Sequence, residues 1–439
     1  MNVGGRREHA EAIDIEQESV TGRGLARLIQ DDADRTCIRL IVLAAAVFCM
    51  ILLLMPPPSE FDVVNFFKQS EALKSGLLPY KDFVFEFPPF ALIFFTIPGL
   101  FTSDQNTYAL LFGIMVIIAI AVAMYYVQRI CGRIGINRTA TTIIFIVLIL
   151  IYFPVRKYDV FPMCLTIVAI FYFIERRFGL AYGLAAMATL TKIYPGLIIL
   201  LFLTINLTEH RDDRLKNIAV GLISCIAIAA LAFIPLLVAG VSPAEALSFL
   251  SFHSDRGFQN ESLFAVFVAS LSMLGLTESH IVFEHDAYDI VGPLTDAVMP
   301  YWTAITIVAI LSVLFVTARY VMKRHVSEAG WNERSLIVMS LAIIMIFLLV
   351  NKVFSTQYLV WIFPMMVCIP LMCKEHLSRT IALVILIVGL STTYLLCESN
   401  SSAFVVLNIV RDIMLISLFA MCIHSLLFPE SEKAALDLG

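Results

Sequence analysis

The chain has 439 residues, 60% hydrophobic and 15% charged, with a mean hydropathy of +0.89. Soluble domains carry about 25% charged residues, so this composition excludes a soluble globular protein and indicates a polytopic membrane protein. The formal net charge of −5, with no basic patch interleaved with aromatics, leaves nucleic acid without a footing as a partner.

Residues 1–36 are polar and of mixed charge, without the basic start, short apolar core and cleavage site of a signal peptide. They read as a disordered cytosolic tail with a short helix near Leu25–Ile29. A spanning helix needs about 20 apolar residues. That rule predicts an all-α domain over 37–428 with about twelve spans, near 37–57, 107–127, 138–153, 160–175, 178–192, 195–208, 217–240, 300–320, 335–351, 357–373, 380–397 and 403–427. Residues 429–439 form a second short cytosolic tail. The runs 178–192 and 195–208 also read as one broken hairpin.

Three stretches do not fit as spans. Phe61–Lys74 sets apolar residues among polar ones in the manner of an amphipathic helix at the membrane surface. Pro88–Phe101 is bracketed by Pro88, Pro89 and Pro98 and is too short to cross, so it is expected to lie at the interface. Residues 263–276 read as re-entrant or interfacial, and 277–297 as an acidic loop.

Lysine and arginine set the orientation. With the N-terminus inside, Arg129, Arg133, Arg138, Arg176, Arg177, Arg211, Arg214, Arg319, Lys323 and Arg334 fall on the cytosolic face. Both termini are then cytoplasmic, Arg411 sits in the outer part of the last span, and the polar clusters described below share the outer face.

The nine cysteines lie mostly within apolar runs and form no CxxC, so they read as packing residues. The eight histidines form no HExxH and pair with no cysteine at zinc spacing. No cofactor and no dedicated metal site is expected; a metal ion could be held only through carboxylates.

Charges close to a membrane are costly and therefore informative. The interval Glu60–Pro89 holds five acids and three lysines, and Asp62 and Glu86 suit either a base and its orienting partner or the binding of a divalent ion. Glu86 stands between Phe85 and Phe87, directly before two prolines, which restrict its backbone. Arg156 and Asp159 interrupt two apolar runs and are expected at a cavity mouth. Lys192 precedes the helix-breaking Pro195 and reads as a snorkelling side chain or as a phosphate-binding cation. Arg256-Gly257 allows close approach to an anion, and Asn260-Glu261-Ser262 matches an N-glycosylation acceptor. Lys352, Ser355, Gln357 and Tyr358 lie on a polar hinge between two spans. Each cluster also has a plain reading as a solvated turn. Together they suit an enzyme acting on a lipid phosphate, with a carboxylate as base and cations for the leaving phosphate.

The run from Asp62 through Gly76-Leu77-Leu78-Pro79-Tyr80-Lys81-Asp82-Phe83 to Phe85-Glu86-Phe87-Pro88-Pro89 resembles a signature of glycosyltransferase family 87. The blocks at Arg156–Asp159, Lys192–Pro195, Arg256–Ser262 and Ser355–Trp361 are similar to further blocks of that family, and the resemblance covers roughly residues 60–365. Phe87 stands where tyrosine is more usual.

The resemblance implies a GT-C-type helical bundle with interfacial juxtamembrane helices in its first outer loop. It implies an inverting, multi-pass membrane transferase with its active site on the outer face. The donor would be a polyprenyl (dolichyl) phosphate sugar, most often mannose, with arabinofuranose used by related enzymes. The acceptor would be a hydroxyl of a glycolipid or cell-envelope glycan. It implies Asp62 as base; Lys192, Arg256 and Lys352 are the expected donor-phosphate cations, and Glu86, Asp159, Gln357 and Tyr80 are expected to position sugar or acceptor. The competing reading is a secondary transporter or flippase of a lipid-linked sugar, which calls for mid-membrane charges and inverted repeats; neither is evident. A ligase or acyltransferase at the same interface is a third.

Overall fold

The computed structural model describes residues 33–56, 61–209, 212–254, 256–284, 287–325, 331–372, 377–393 and 401–428. The expected tails over 1–32 and 429–439, with the helix near Leu25–Ile29, lie outside the described residues.

Helix α1 (Ala33–Leu54) opens the bundle four residues before the expected Cys37. After the first polar interval come α2 (Phe61–Lys74), α3 (Ala91–Gly99) and α4 (Gln105–Ile134). The Asp104 side chain caps α4 by accepting from the Thr107 backbone N–H, and Gly135 ends it in the left-handed region at φ 71°. Four shorter helices follow in tight hairpins: α5 (Arg138–Tyr152), α6 (Val160–Ile174), α7 (Phe178–Thr189) and α8 (Gly196–Thr208). A long span, α9 (Arg214–Val238), leads to two short helices, α10 (Pro243–Ala246) and α11 (Ser248–Ser254), and then to strand β1 (Phe258–Gln259) and α12 (Leu263–Met273). Strands β2 (His280–Glu284) and β3 (Ala287–Val291) precede α13 (Pro293–Val298), α14 (Trp302–His325) and α15 (Glu333–Val350). The chain closes with α16 (Phe363–Met366), α17 (Ile369–Met372), α18 (Leu377–Thr393) and α19 (Ser402–Leu427).

Because α4 to α9 run back and forth, their turns sort to two ends. Residues 153–159 and 190–195 share one end, here called the cavity end. The turns near 135, 176 and 210 share the other. There Arg133 pairs with Glu175 and Arg138 with Asp34, both closely, while Arg176 holds Glu209 at 3.0 Å and stands 4.3 Å over the Trp331 ring. Arg334 donates to the Ile134 carbonyl at 3.0 Å. Arg133, Arg138, Arg176 and Arg334, which the sequence groups on one face, therefore meet at one end of the bundle.

Burial separates the centre of the bundle from its rim. In α15, 72% of the apolar window is buried, against 11% in α9. The outward apolar side chains of α9, such as Ile223 and Ile226, belong in lipid. Six helices among the described residues are long and apolar enough to cross a membrane, and six further apolar helices are shorter.

Two short helices match the sequence reading and two stretches depart from it. The helix α2 forms over the expected residues, and α3, nine residues or about 14 Å long, is too short to span. The expected span 357–373 is instead a 3₁₀ turn over Thr356–Ile362 followed by α16 and α17. Pro364 and Pro370 lack the N–H a continuous helix needs, and such broken backbone is tolerated because Leu359 to Ile369 are buried in protein. The expected acidic loop at 277–297 contains an antiparallel hairpin in which β3 pairs with both β2 and β1. Its signal was the β-branched and aromatic content of Ile281-Val282-Phe283 and Tyr288 to Val291.

Helix α9 packs closely on α7 at Gly221, where an added Cβ would lie 2.6 Å from the Tyr182 ring. Gly221→Leu is expected to cost about 1–3 kcal/mol by overpacking, seen as a lower Tm of the detergent-solubilised protein. An unchanged Tm would show that the helices do not meet there.

Candidate active site

The cavity end holds a pocket of about 380 Å³, within the roughly 300–1,000 Å³ usual for small-molecule sites. Its wall is built from segments far apart in sequence. The first turn of α2 supplies Asp62, and the FEFPP segment supplies Glu86. The α5–α6 turn supplies Lys157 and Asp159, and the α7–α8 turn supplies Lys192. Arg256 and Gln259 come from the segment before α12, and Lys352, Ser355, Gln357 and Tyr358 from the hinge after α15.

The floor is held by Asp159, which is buried. Its Oδ1 accepts from Lys192 Nζ at 2.5 Å and from Trp361 Nε1 at 2.6 Å. Tyr194 and Tyr358 stack on the two sides of Trp361, with centroids 4.0 and 4.3 Å away, and the Lys192 ammonium lies 4.5 Å from the Tyr358 ring centre. Burial works against that ammonium, but the Asp159 charge and hydrogen bond outweigh it and hold the Lys192 pKa above the ordinary lysine value. Lys192 therefore stays cationic at neutral pH.

At the rim, Asp62 is paired with Lys157, Oδ2 to Nζ at 3.2 Å, and both side chains are partly open to solvent. Asp62 stands at a helix N-terminus, where the backbone favours negative charge. Beneath it an aromatic layer fixes α2 and the FEFPP segment to the bundle. Phe66 stacks on Phe95 at 4.1 Å, and Phe87 packs edge-on to Phe95 and Tyr158. The Tyr158 hydroxyl donates to the Thr191 carbonyl at 2.7 Å, which ties the two turns of the floor together.

Asp62, Glu86, Asp159, Lys192, Arg256, Lys352 and Gln357, expected from sequence as site residues, all line this cavity. Tyr80 does not line it. It sits behind the wall in the left-handed region at φ 69°, its hydroxyl donating to the Phe87 carbonyl at 2.7 Å. Burial pushes its phenol well above the usual range, so it acts there as a donor. Asp82 accepts from the Leu78 N–H at 2.7 Å in the same turn. The GLLPYKDF block thus braces the segment that carries Glu86.

Arg156, expected at the mouth, is buried and donates to the Pro56 carbonyl at 3.0 Å, while its neighbour Lys157 takes the cavity position. Gly257 does permit a close approach, made by Asp289, whose Oδ2 accepts its N–H at 3.1 Å. Asn260 and Ser262 of the glycosylation motif are buried, which leaves no room for a glycan. Lys157, Gln259 and Trp361 were not singled out from sequence as site residues. Trp361 and Tyr194 resemble ordinary core aromatics within apolar runs, and only the clustering of Lys157 with Asp159 gave a signal.

A multi-span helical protein with a charged, solvent-open cavity at one end of its bundle has the build of a membrane enzyme. Residues 85–343 match glycosyltransferase family 87. This chain belongs to that family. Its helical bundle carries two short helices, α2 and α3, in the interval after α1. The matched stretch contains Glu86, Asp159, Lys192 and Arg256, whereas Asp62, Lys352 and Gln357 lie outside it. No curated protein matches the chain. Among solved structures, it is similar to the archaeal oligosaccharyltransferase AglB from Archaeoglobus fulgidus, determined with an inhibitory peptide and a dolichol-phosphate. The identity is 16% and the TM-score 0.40, over 89% of this chain and 55% of that one. The chain thus spans about half the length of that structure.

Asp159→Ala is expected to leave Lys192 without its counter-charge. Removing one partner of such a buried pair typically costs about 3–5 kcal/mol. The expected outcome is a clear fall in Tm in detergent, smaller for Asp159→Asn; equal Tm values for all three proteins would mean that the pair does not hold the floor.

Proposed function

We propose that this glycosyltransferase moves a sugar, mannose first among the candidates, from a polyprenyl phosphate carrier to a hydroxyl of a lipid-linked or cell-envelope glycan. The displacement inverts the anomeric centre. Asp62 takes the proton of the acceptor hydroxyl as its oxygen bonds to C1 of the sugar. The bond from C1 to the phosphate oxygen breaks, and its electron pair leaves with the polyprenyl phosphate. The donor phosphate then goes from one negative charge to two, which is where fixed cations help most. Arg256, Lys352 and Lys192 are assigned to it. Glu86, Asp159 and Gln357 border the space left for the sugar and the acceptor.

The observation that carries this reading is the convergence of acids and cations from distant segments on one cavity, with Asp62 partly solvent-open at its rim. A base must meet an incoming hydroxyl, whereas Asp159 is buried and bonded to two donors. The arginine-rich end opposite the cavity supports an orientation with both termini in the cytoplasm and the cavity on the outer face.

Asp62→Asn is expected to lower transfer from polyprenyl-phosphate mannose by about 10²–10⁴-fold while leaving expression, membrane insertion and Tm at wild-type values. Near-normal product from the variant would remove Asp62 from the role. Uptake of the lipid-linked sugar by proteoliposomes without any transfer would replace the enzyme reading with the transporter one.

A further inference from the structure

Arg411 and Asp412 sit within α19, a helix otherwise apolar enough to cross a membrane, and both are buried. Neither lines the cavity. Charges at such a depth are costly and usually serve a purpose. Arg411 donates through Nε and one terminal nitrogen to Asp412 Oδ1, at 2.9 and 2.7 Å, and through that same nitrogen to the Glu261 carbonyl at 2.7 Å. Its guanidinium lies 4.6 Å from the Phe354 ring centre. Glu261 in turn accepts the Thr356 N–H on Oε2 at 3.1 Å.

These bonds join two irregular segments. One, over residues 256–262, brings Arg256 and Gln259 to the cavity; the other, over 351–361, brings Lys352, Ser355 and Gln357. The Gln259 N–H also donates to the Lys352 carbonyl at 2.9 Å. Neither segment is held by helical hydrogen bonds along its whole length, so their relative placement depends on cross-links such as these. Arg411 reaches both from inside the last span, beyond the family-matched residues 85–343.

We propose that Arg411 and Glu261 are positioning residues for glycosyl transfer. They lock the segment bearing Arg256 to the segment bearing Lys352 and so set the spacing of the cations that meet the donor phosphate. The inference rests on the cavity being the transfer site, which Asp62→Asn scores separately.

The test uses the full chain purified in detergent, with a short-chain polyprenyl-phosphate mannose as donor. Arg411→Met is combined with Asp412→Leu, so that neither charge is left buried without the other. The donor KM is expected to rise about tenfold with kcat within about threefold of wild type, and Arg256→Ala to cost less in this background than alone. A donor KM unchanged per folded molecule, or an Arg256→Ala effect that is the same in both backgrounds, would overturn the proposal. Should the double variant not fold, Glu261→Gln keeps the backbone acceptor for Arg411 and removes the side-chain charge that accepts from Thr356. A donor KM raised about threefold is then expected, and an unchanged one overturns the proposal. Normal transfer by Asp62→Asn would instead remove Asp62 as the base in the reading on which this inference rests.

Discussion

The cavity depends on one buried carboxylate. Asp159 accepts from Lys192 and from Trp361 on the same oxygen, and these three residues come from three different segments. A carboxylate and an ammonium drawn out of water are tolerable only when they satisfy each other and their remaining hydrogen bonds. Meeting that condition forces the α5–α6 turn, the α7–α8 turn and the 3₁₀ segment after α15 to converge. The stack of Tyr194, Trp361 and Tyr358 then closes the floor beneath them. The break at Pro195 and the irregular run after Ser355 follow from the same demand, since regular helices would carry these side chains past one another.

Above that floor the construction changes character. The rim rests on aromatic packing, with Phe66, Phe87, Phe95 and Tyr158 fixing α2 and the FEFPP segment to α3 and the α5–α6 turn. A rigid floor of charge and a rim of packed rings leave the Asp62 carboxylate held by its helix yet reachable from solvent. A base serving an exchangeable acceptor needs that combination. The hinge and the 256–262 segment complete the wall, and α19 braces both from behind.

Much of this was legible before any coordinates, for a physical reason. In a chain that is 60% hydrophobic, each charge near a span carries a cost and stands out, so Asp62, Glu86, Asp159, Lys192, Arg256 and Lys352 could be found by asking why they are tolerated. Apolar length gave the long spans, and proline bracketing separated α3 from them. What escaped was whatever lacked such a cost. Trp361 and Tyr194 are indistinguishable in sequence from core aromatics. The stretch 357–373 has the apolar length of a span, and only its two prolines hinted at the break. The hairpin at 280–291 was masked by acids that suggested a loop. Arg156 and Lys157 are adjacent cations, and nothing in their order shows which one turns inward. Tyr80 belonged to a recognisable block, but its hydroxyl braces the wall from behind, a distinction that a motif does not encode.

The central claim is that a lipid-phosphate sugar occupies this cavity with its phosphate among Lys192, Arg256 and Lys352 and its anomeric carbon facing Asp62. An experimental structure of the full chain with a non-transferable polyprenyl-phosphonate mannose measures this most directly. The account predicts phosphonate density within hydrogen-bonding distance of Arg256 and Lys352, and the sugar ring between that group and Asp62. Phosphonate density at the arginine-rich end of the bundle, or a sugar turned away from Asp62, would contradict it.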